Sequence, residues 1–109
     1  MRVLKFIVDG QVIKQDPDCD FGGLVPGTKE YLQAEFSFSK DWNGYTKVAA
    51  FYSALGKEYE PKKLIDGKYC LIPAAALERR VFKVRIIGKK KDSTMKSNKL
   101  AVKQNGGGV

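Results

Sequence analysis

The sequence predicts an all-β fold, a two-layer antiparallel β-sandwich, immunoglobulin-like or similar, with about seven to nine short strands. Three observations predict it. Apolar and polar residues alternate with period two, most clearly where Leu32, Ala34, Phe36 and Phe38 are interleaved with Gln33, Glu35 and Ser37. Gly, Pro, Asn and Asp interrupt these runs at short intervals. Outside residues 73–80, apolar spacing at i, i+3, i+4 and i+7 occurs at Tyr45, Val48, Ala49 and Tyr52 and at Val48, Phe51, Tyr52 and Leu55, but there the whole run 48–52 is apolar and no polar face is left, so a helical reading fails.

The elements follow in order. Residues 3–8 read as a strand ending at Asp9-Gly10, a hairpin signal, with residues 11–14 as its return. Residues 15–28 hold two prolines and three glycines and read as a long connection between sheets. Residues 31–38 form the best-defined strand, followed by a turn at 41–44 and strands at 46–52 and 55–61. Asp66-Gly67 predicts a tight turn into a strand at 69–72. Pro73 followed by three alanines suits one helical turn with Pro73 at its first position and Leu77 packed on the core. Strands at 79–88 and 95–103 complete the set.

At 109 residues the chain has room for one core. The expected layout is a β-sandwich adaptor domain over 1–104 and a Gly-rich linker or tail over 105–109. No stretch approaches the roughly 18 apolar residues of a membrane helix, and residues 1–8 lack a signal-peptide pattern, so a cytoplasmic site of folding is expected. The formal charge is +8. Lys83 and Arg85 alternate with Phe82, Val84 and Ile86, and Lys99 and Lys103 with Leu100 and Val102, which reads as solvated strand faces serving solubility. Only Lys89, Lys90 and Lys91 form a run, expected at a loop tip; with nearby Arg79 and Arg80 they are the candidate polyanion contact.

The chain has no histidine, so the commonest general base and the usual partner of a serine or cysteine nucleophile are missing. Glu58 and Glu60 lie two apart on one expected strand and face the same way, which does not suit a glycosidase pair. No glycine-rich segment carries the Lys-Ser or Lys-Thr of a phosphate loop. Cys19 and Cys70 are too few for a zinc site; Cys70 is expected in the core as a small hydrophobe and Cys19 exposed in a polar loop. No catalytic residue, metal ligand or cofactor is therefore expected. Tyr45, Tyr52, Tyr59 and Tyr69 could interleave with basic residues to stack nucleic-acid bases, but packing explains the aromatics better. Trp42, Phe36, Phe38, Phe51, Cys70 and Phe82 are the expected structural core, with Trp42 a plug at the sandwich edge.

The succession Phe36-Ser-Phe38, Trp42-Asn-Gly44, Thr46-Lys47, Ala49-Ala50-Phe51, Asp66-Gly67, Tyr69-Cys70, Ile72-Pro73, Leu77, Phe82-Lys-Val84 and Gly88 resembles the N-terminal β-sandwich module of tail, baseplate and fibre proteins of phages and prophages of Gram-positive bacteria. The N-terminal domain of the baseplate upper protein belongs to that group. The resemblance spans residues 1 to about 104 and implies a non-enzymatic virion structural module, in baseplate, tail fibre or head fibre, binding other virion proteins. It implies location in the virion after synthesis in the bacterial host cytoplasm. A homo-oligomer stays open, a membrane partner is not expected, and nucleic acid is disfavoured. Past Gly106 no heptads or distal domain follow, so the expectation is either a fragment ending at its linker or a short stand-alone version. The rival reading is a polyanion-binding module, for nucleic acid or wall teichoic acid, using the Lys-rich loop.

Overall fold

The computed structural model describes residues 1–105 and forms two packed sheets. Among the described residues nine strands run in chain order: β1 Arg2–Asp9, β2 Val12–Gln15, β3 Leu32–Phe38, β4 Thr46–Ser53, β5 Lys62–Lys63, β6 Tyr69–Leu71, β7 Val81–Lys90, β8 Ser93–Lys96 and β9 Leu100–Lys103. Sheet 1 has the order β2-β1-β3-β6; sheet 2 has β5-β4-β7-β8, with β9 also paired to β7. The all-β sandwich is thus present, with one departure from the expected all-antiparallel pairing: β1 and β3 run parallel, Phe6 beside Phe36. The long segment between β2 and β3 makes this possible, because parallel neighbours need a crossover longer than a hairpin.

Alternation builds the core. Leu4, Phe6, Val8, Ala34 and Phe36 face Ala49, Phe51, Phe82, Val84, Ile86 and Val102 across the sandwich, all at most 1 % exposed. Burying each of the larger side chains stabilises the fold by about 1.5–3 kcal/mol. Phe6 stacks on Phe36 with centroids 5.2 Å apart, and Phe21, from the long connection, meets Phe6 edge-on at 5.3 Å. That connection also buries Leu24, whose carbonyl accepts a 2.7 Å bond from the Asn105 N–H. Asn105, expected to open the linker, is therefore tied to the domain; the rest of the expected tail, 106–109, lies outside the described residues.

Local chemistry sets the turns. Asp9 pairs with Val12, so the first hairpin turns on Gly10-Gln11, with Gly10 at φ +57°. Asp66 and Gly67 both have positive φ, as a type I′ turn requires, before β6. Residues 40–42 and 74–78 form two short 3-10 turns; Pro73 precedes the second instead of occupying its first position.

Two expected strands differ. The run 55–61 is not a strand: Gly56 at φ +96° reverses the chain, Leu55 is 99 % exposed at the apex, and a single bridge joins Tyr52 to Glu58. Pro61 lacks an N–H for the ladder, and pairing resumes only at β5. Glu58 and Glu60 accordingly lie in a loop, not on a common strand. The expected strand 95–103 is two strands, β8 and β9, lying end to end along β7. Ile87 pairs with Lys96 but Val84 with Leu100, so the stretch from 96 to 100 carries one residue more than its partner. This bulge forms because Ser97 Oγ, accepting from Ile86 N–H at 2.9 Å, bonds the ladder with a side chain, while Asn98 turns to sheet 1. Asn98 Oδ1 accepts from Ile13 N–H at 2.8 Å and its own N–H donates to Gln11 O at 2.9 Å. One side of the sandwich is stitched shut there.

Candidate functional site

Trp42 closes one end of the sandwich. Its ring is fully buried, 5.6 Å from Phe38 and 6.0 Å from Tyr45 between centroids, and its indole N–H donates to Gly10 O at 2.8 Å. Gly88, on the inner face of β7, supplies the seat: a Cβ there would come within 2.9 Å of Trp42 Cζ3. Trp42 and Gly88 are thus in contact, and Phe36, Phe51, Cys70, Ile72, Leu77 and Phe82 line the same core as Trp42. Phe38 is only half-buried, with Lys47 Nζ 5.0 Å from its ring centre. Its position at the end of β3, where the inner face opens, leaves one side for a cation.

Cys70 is buried on β6, and burial pushes its thiol up to about 12, so it is uncharged at neutral pH. Cys19 is half-buried rather than exposed: its sulfur accepts from Lys5 N–H at 3.3 Å and covers the part of the β1 edge that β2 leaves open. Tyr69 hydroxyl donates to Asp66 at 3.1 Å, and this bond together with the Asp66 charge raises its pKa. Among the described residues, no group of three or more His, Cys, Asp or Glu could hold a metal ion. Shallow depressions lie beside Gly10, Asp41, Tyr45 and Met95, and beside Phe38, Lys47 and Lys68.

The candidate polyanion cluster does not assemble. Lys89 points from the outer face of sheet 2, Lys90 lies on the opposite face with Nζ 5.7 Å from the Tyr45 ring centre, and Lys91 occupies the β7–β8 turn. Arg79 and Arg80 precede the other end of β7, a ten-residue strand and so about 30 Å away. Nor is the run a loop tip as a whole, because β7 continues through Lys90.

A different basic surface is present, and its parts read as dispersed in sequence. Residues directly opposite in a ladder share a face. Register places Tyr52 beside Lys83, Ala50 beside Arg85, Val48 beside both Lys63 and Ile87, Ile87 beside Lys96, and Val81 beside Lys103. Lys83, Arg85, Lys63, Lys89, Lys96 and Lys103 therefore all project from the outer face of sheet 2, and Lys99 Nζ joins them, 4.1 Å from the Tyr52 ring centre. The bulge is decisive here. In an unbulged strand Lys96 and Lys99, three positions apart, would face opposite ways. None of the five strands of sheet 2 contains an Asp or Glu; the carboxylate that register adds to this face is Glu58, bridged to Tyr52 from the adjoining loop. Alternation, which looked like dispersal, is convergence once the strands are neighbours.

The candidate stacking tyrosines do not form a platform on this face. Tyr52 is 6 % exposed under Lys99, Tyr45 and Tyr59 pack against the core, and Tyr69 is on sheet 1. The outer face of sheet 1 is of another kind. Val3, Ile7, Val12, Leu71 and Ile65 lie on it, and it carries Lys5 and Lys14 against Asp9 and Glu35. Val12, Ile65 and Leu71 are 56 %, 56 % and 42 % exposed.

Comparison with protein-family models, curated proteins and solved structures finds no match to this chain.

Proposed function

We propose that this chain is a non-enzymatic structural adaptor of a phage or prophage virion, an attachment domain of a baseplate, tail fibre or head fibre that binds other virion proteins. The observation that supports the reading is the use of the resembling residues: Trp42, Phe51, Cys70, Leu77 and Phe82 pack in one sandwich core, with Gly88 against Trp42. Such a body acts through its surfaces. The outer face of sheet 1, near-neutral and with Ile65, Leu71 and Val12 exposed, is the surface for a protein partner, because its contact would be made by apolar burial.

The experiment is a pull-down with tail and capsid proteins encoded beside this chain, at about 50 and 200 mM salt. A complex retained at the higher salt, and lost on Ile65→Lys with Leu71→Lys at unchanged melting temperature, supports the adaptor. Failure to retain any virion protein overturns it.

A further inference from the structure

The charge of the chain is polarised between its layers. Residues 46–63 and 73–105, which build sheet 2 and its connections, hold 14 of the 20 Lys and Arg and 4 of the 12 Asp and Glu, a balance of +10; the other described residues sum to −2. The seven cations on the outer face are all exposed or half-exposed, and their kind restricts what they fit. Six are Lys and one is Arg. Carboxylate surfaces are best held by the bidentate fork of Arg, whereas Lys is a point charge suited to a phosphate row. Single-stranded nucleic acid calls for free aromatic rings, and the ring on this face, Tyr52, is covered by Lys99. No Asn or Gln lies in the sheet-2 strands to read a base edge.

Breadth separates the remaining choices. From β5 to β8 the cations span three strand spacings, about 14 Å. One extended polyphosphate chain would meet a single row of them, but a duplex presents two phosphate rows flanking a minor groove roughly 6 Å wide. We propose that the outer face of sheet 2 binds the phosphate backbone of a nucleic-acid duplex without reading its sequence. This stands apart from the adaptor reading, which uses the other sheet.

The test is titration of a short, labelled, mixed-sequence duplex with the full chain. Four to six phosphate contacts predict binding at about 50 mM salt that weakens roughly 150- to 2,000-fold by 200 mM. Lys96→Glu with Lys103→Glu should weaken it about 30-fold or more, while Lys5→Glu with Lys14→Glu, equal in net charge but on sheet 1, should change it less than about threefold. Melting curves check each fold, and the milder Lys96→Gln with Lys103→Gln should make the log–log salt slope shallower by about 1.8. Equal losses from both reversals, absence of binding at about 50 mM, or equally tight binding of a single strand or of inorganic polyphosphate overturns the proposal. So does a protein partner lost with the sheet-2 reversal while duplex affinity is unchanged.

Discussion

The two outer faces of this sandwich share a backbone design and differ in everything that faces water. On sheet 1, Lys5 stands beside Glu35 in register, and apolar Ile7, Leu71 and Ile65 lie among balanced charges. On sheet 2, Lys83 and Arg85 stand beside Tyr52 and Ala50, with no carboxylate on any strand and Glu58, from the adjoining loop, set against seven cations. Both faces are made by the same alternation over one core. The difference teaches that a period-two pattern specifies which residues face out, while pairing decides whether they gather. Sheet 1 mixes signs across strands and remains near neutral; sheet 2 adds like charges across strands and builds a field.

The largest test of this comparison removes what holds the faces to one body. Trp42→Ala, which deletes a fully buried ring and its bond to Gly10, should cost about 3–5 kcal/mol in chemical denaturation. Both surfaces should weaken together. If the variant melts like the parent and loses only one kind of binding, Trp42 serves a ligand and not the scaffold.

A smaller effect concerns sheet 1 alone. The Cys70 thiol is raised from 9.0 to about 12 by burial, so folding opposes its ionisation. Its contribution to stability is therefore complete below about pH 9 and falls above it, by up to about 1.4 kcal/mol per pH unit, until pH 12. Cys70→Ala should flatten the alkaline limb of a stability–pH profile relative to the parent, and thiol reagents at neutral pH should modify Cys19 well before Cys70. Rapid native labelling of Cys70 would mean that the β6 edge opens freely, and that sheet 1 is the looser layer.

The smallest effect separates the basic face from the lysine run. Lys91 sits at φ +51° in the β7–β8 turn, a conformation that suits glycine. Lys91→Gly should change stability by no more than about 1 kcal/mol, in the stabilising direction, because relief of backbone strain outweighs the added chain entropy. Duplex affinity should hold within about twofold, since Lys91 is off the face. A tenfold loss would return the binding to the lysine run.

The fold was legible because alternation is local: the faces of β3 and β7, and the Asp66-Gly67 turn, could be read from neighbours in sequence. The parallel pairing of β1 with β3 and the split of 95–103 were not, since each depends on distant partners. Ser97 and Asn98 fall inside the run read as one strand, and only their bonds to Ile86 and Ile13 explain the break. The basic face was half legible. Lys83 and Arg85 were seen to point away from Phe82 and Val84, but that Lys63, Lys96 and Lys103 lie on adjoining strands is a property of register.

The extra residue between Lys96 and Leu100 has a consequence for how this chain can change. Substitution alters what a strand displays, but only an insertion or deletion alters its parity. Yet deleting Ser97 would leave Asn98 and Lys99 opposite Ile86 and Arg85, a regular ladder in which Lys99, Ala101 and Lys103 still face out and Leu100 and Val102 still pack toward Val84 and Phe82. The bulge is thus a reserve of length: this point can lose one residue without exchanging the charged surface for the apolar interior. The loss would fall instead on the Ser97 bond to Ile86 and on the tie of Asn98 to Gln11 and Ile13, which holds one sheet to the other.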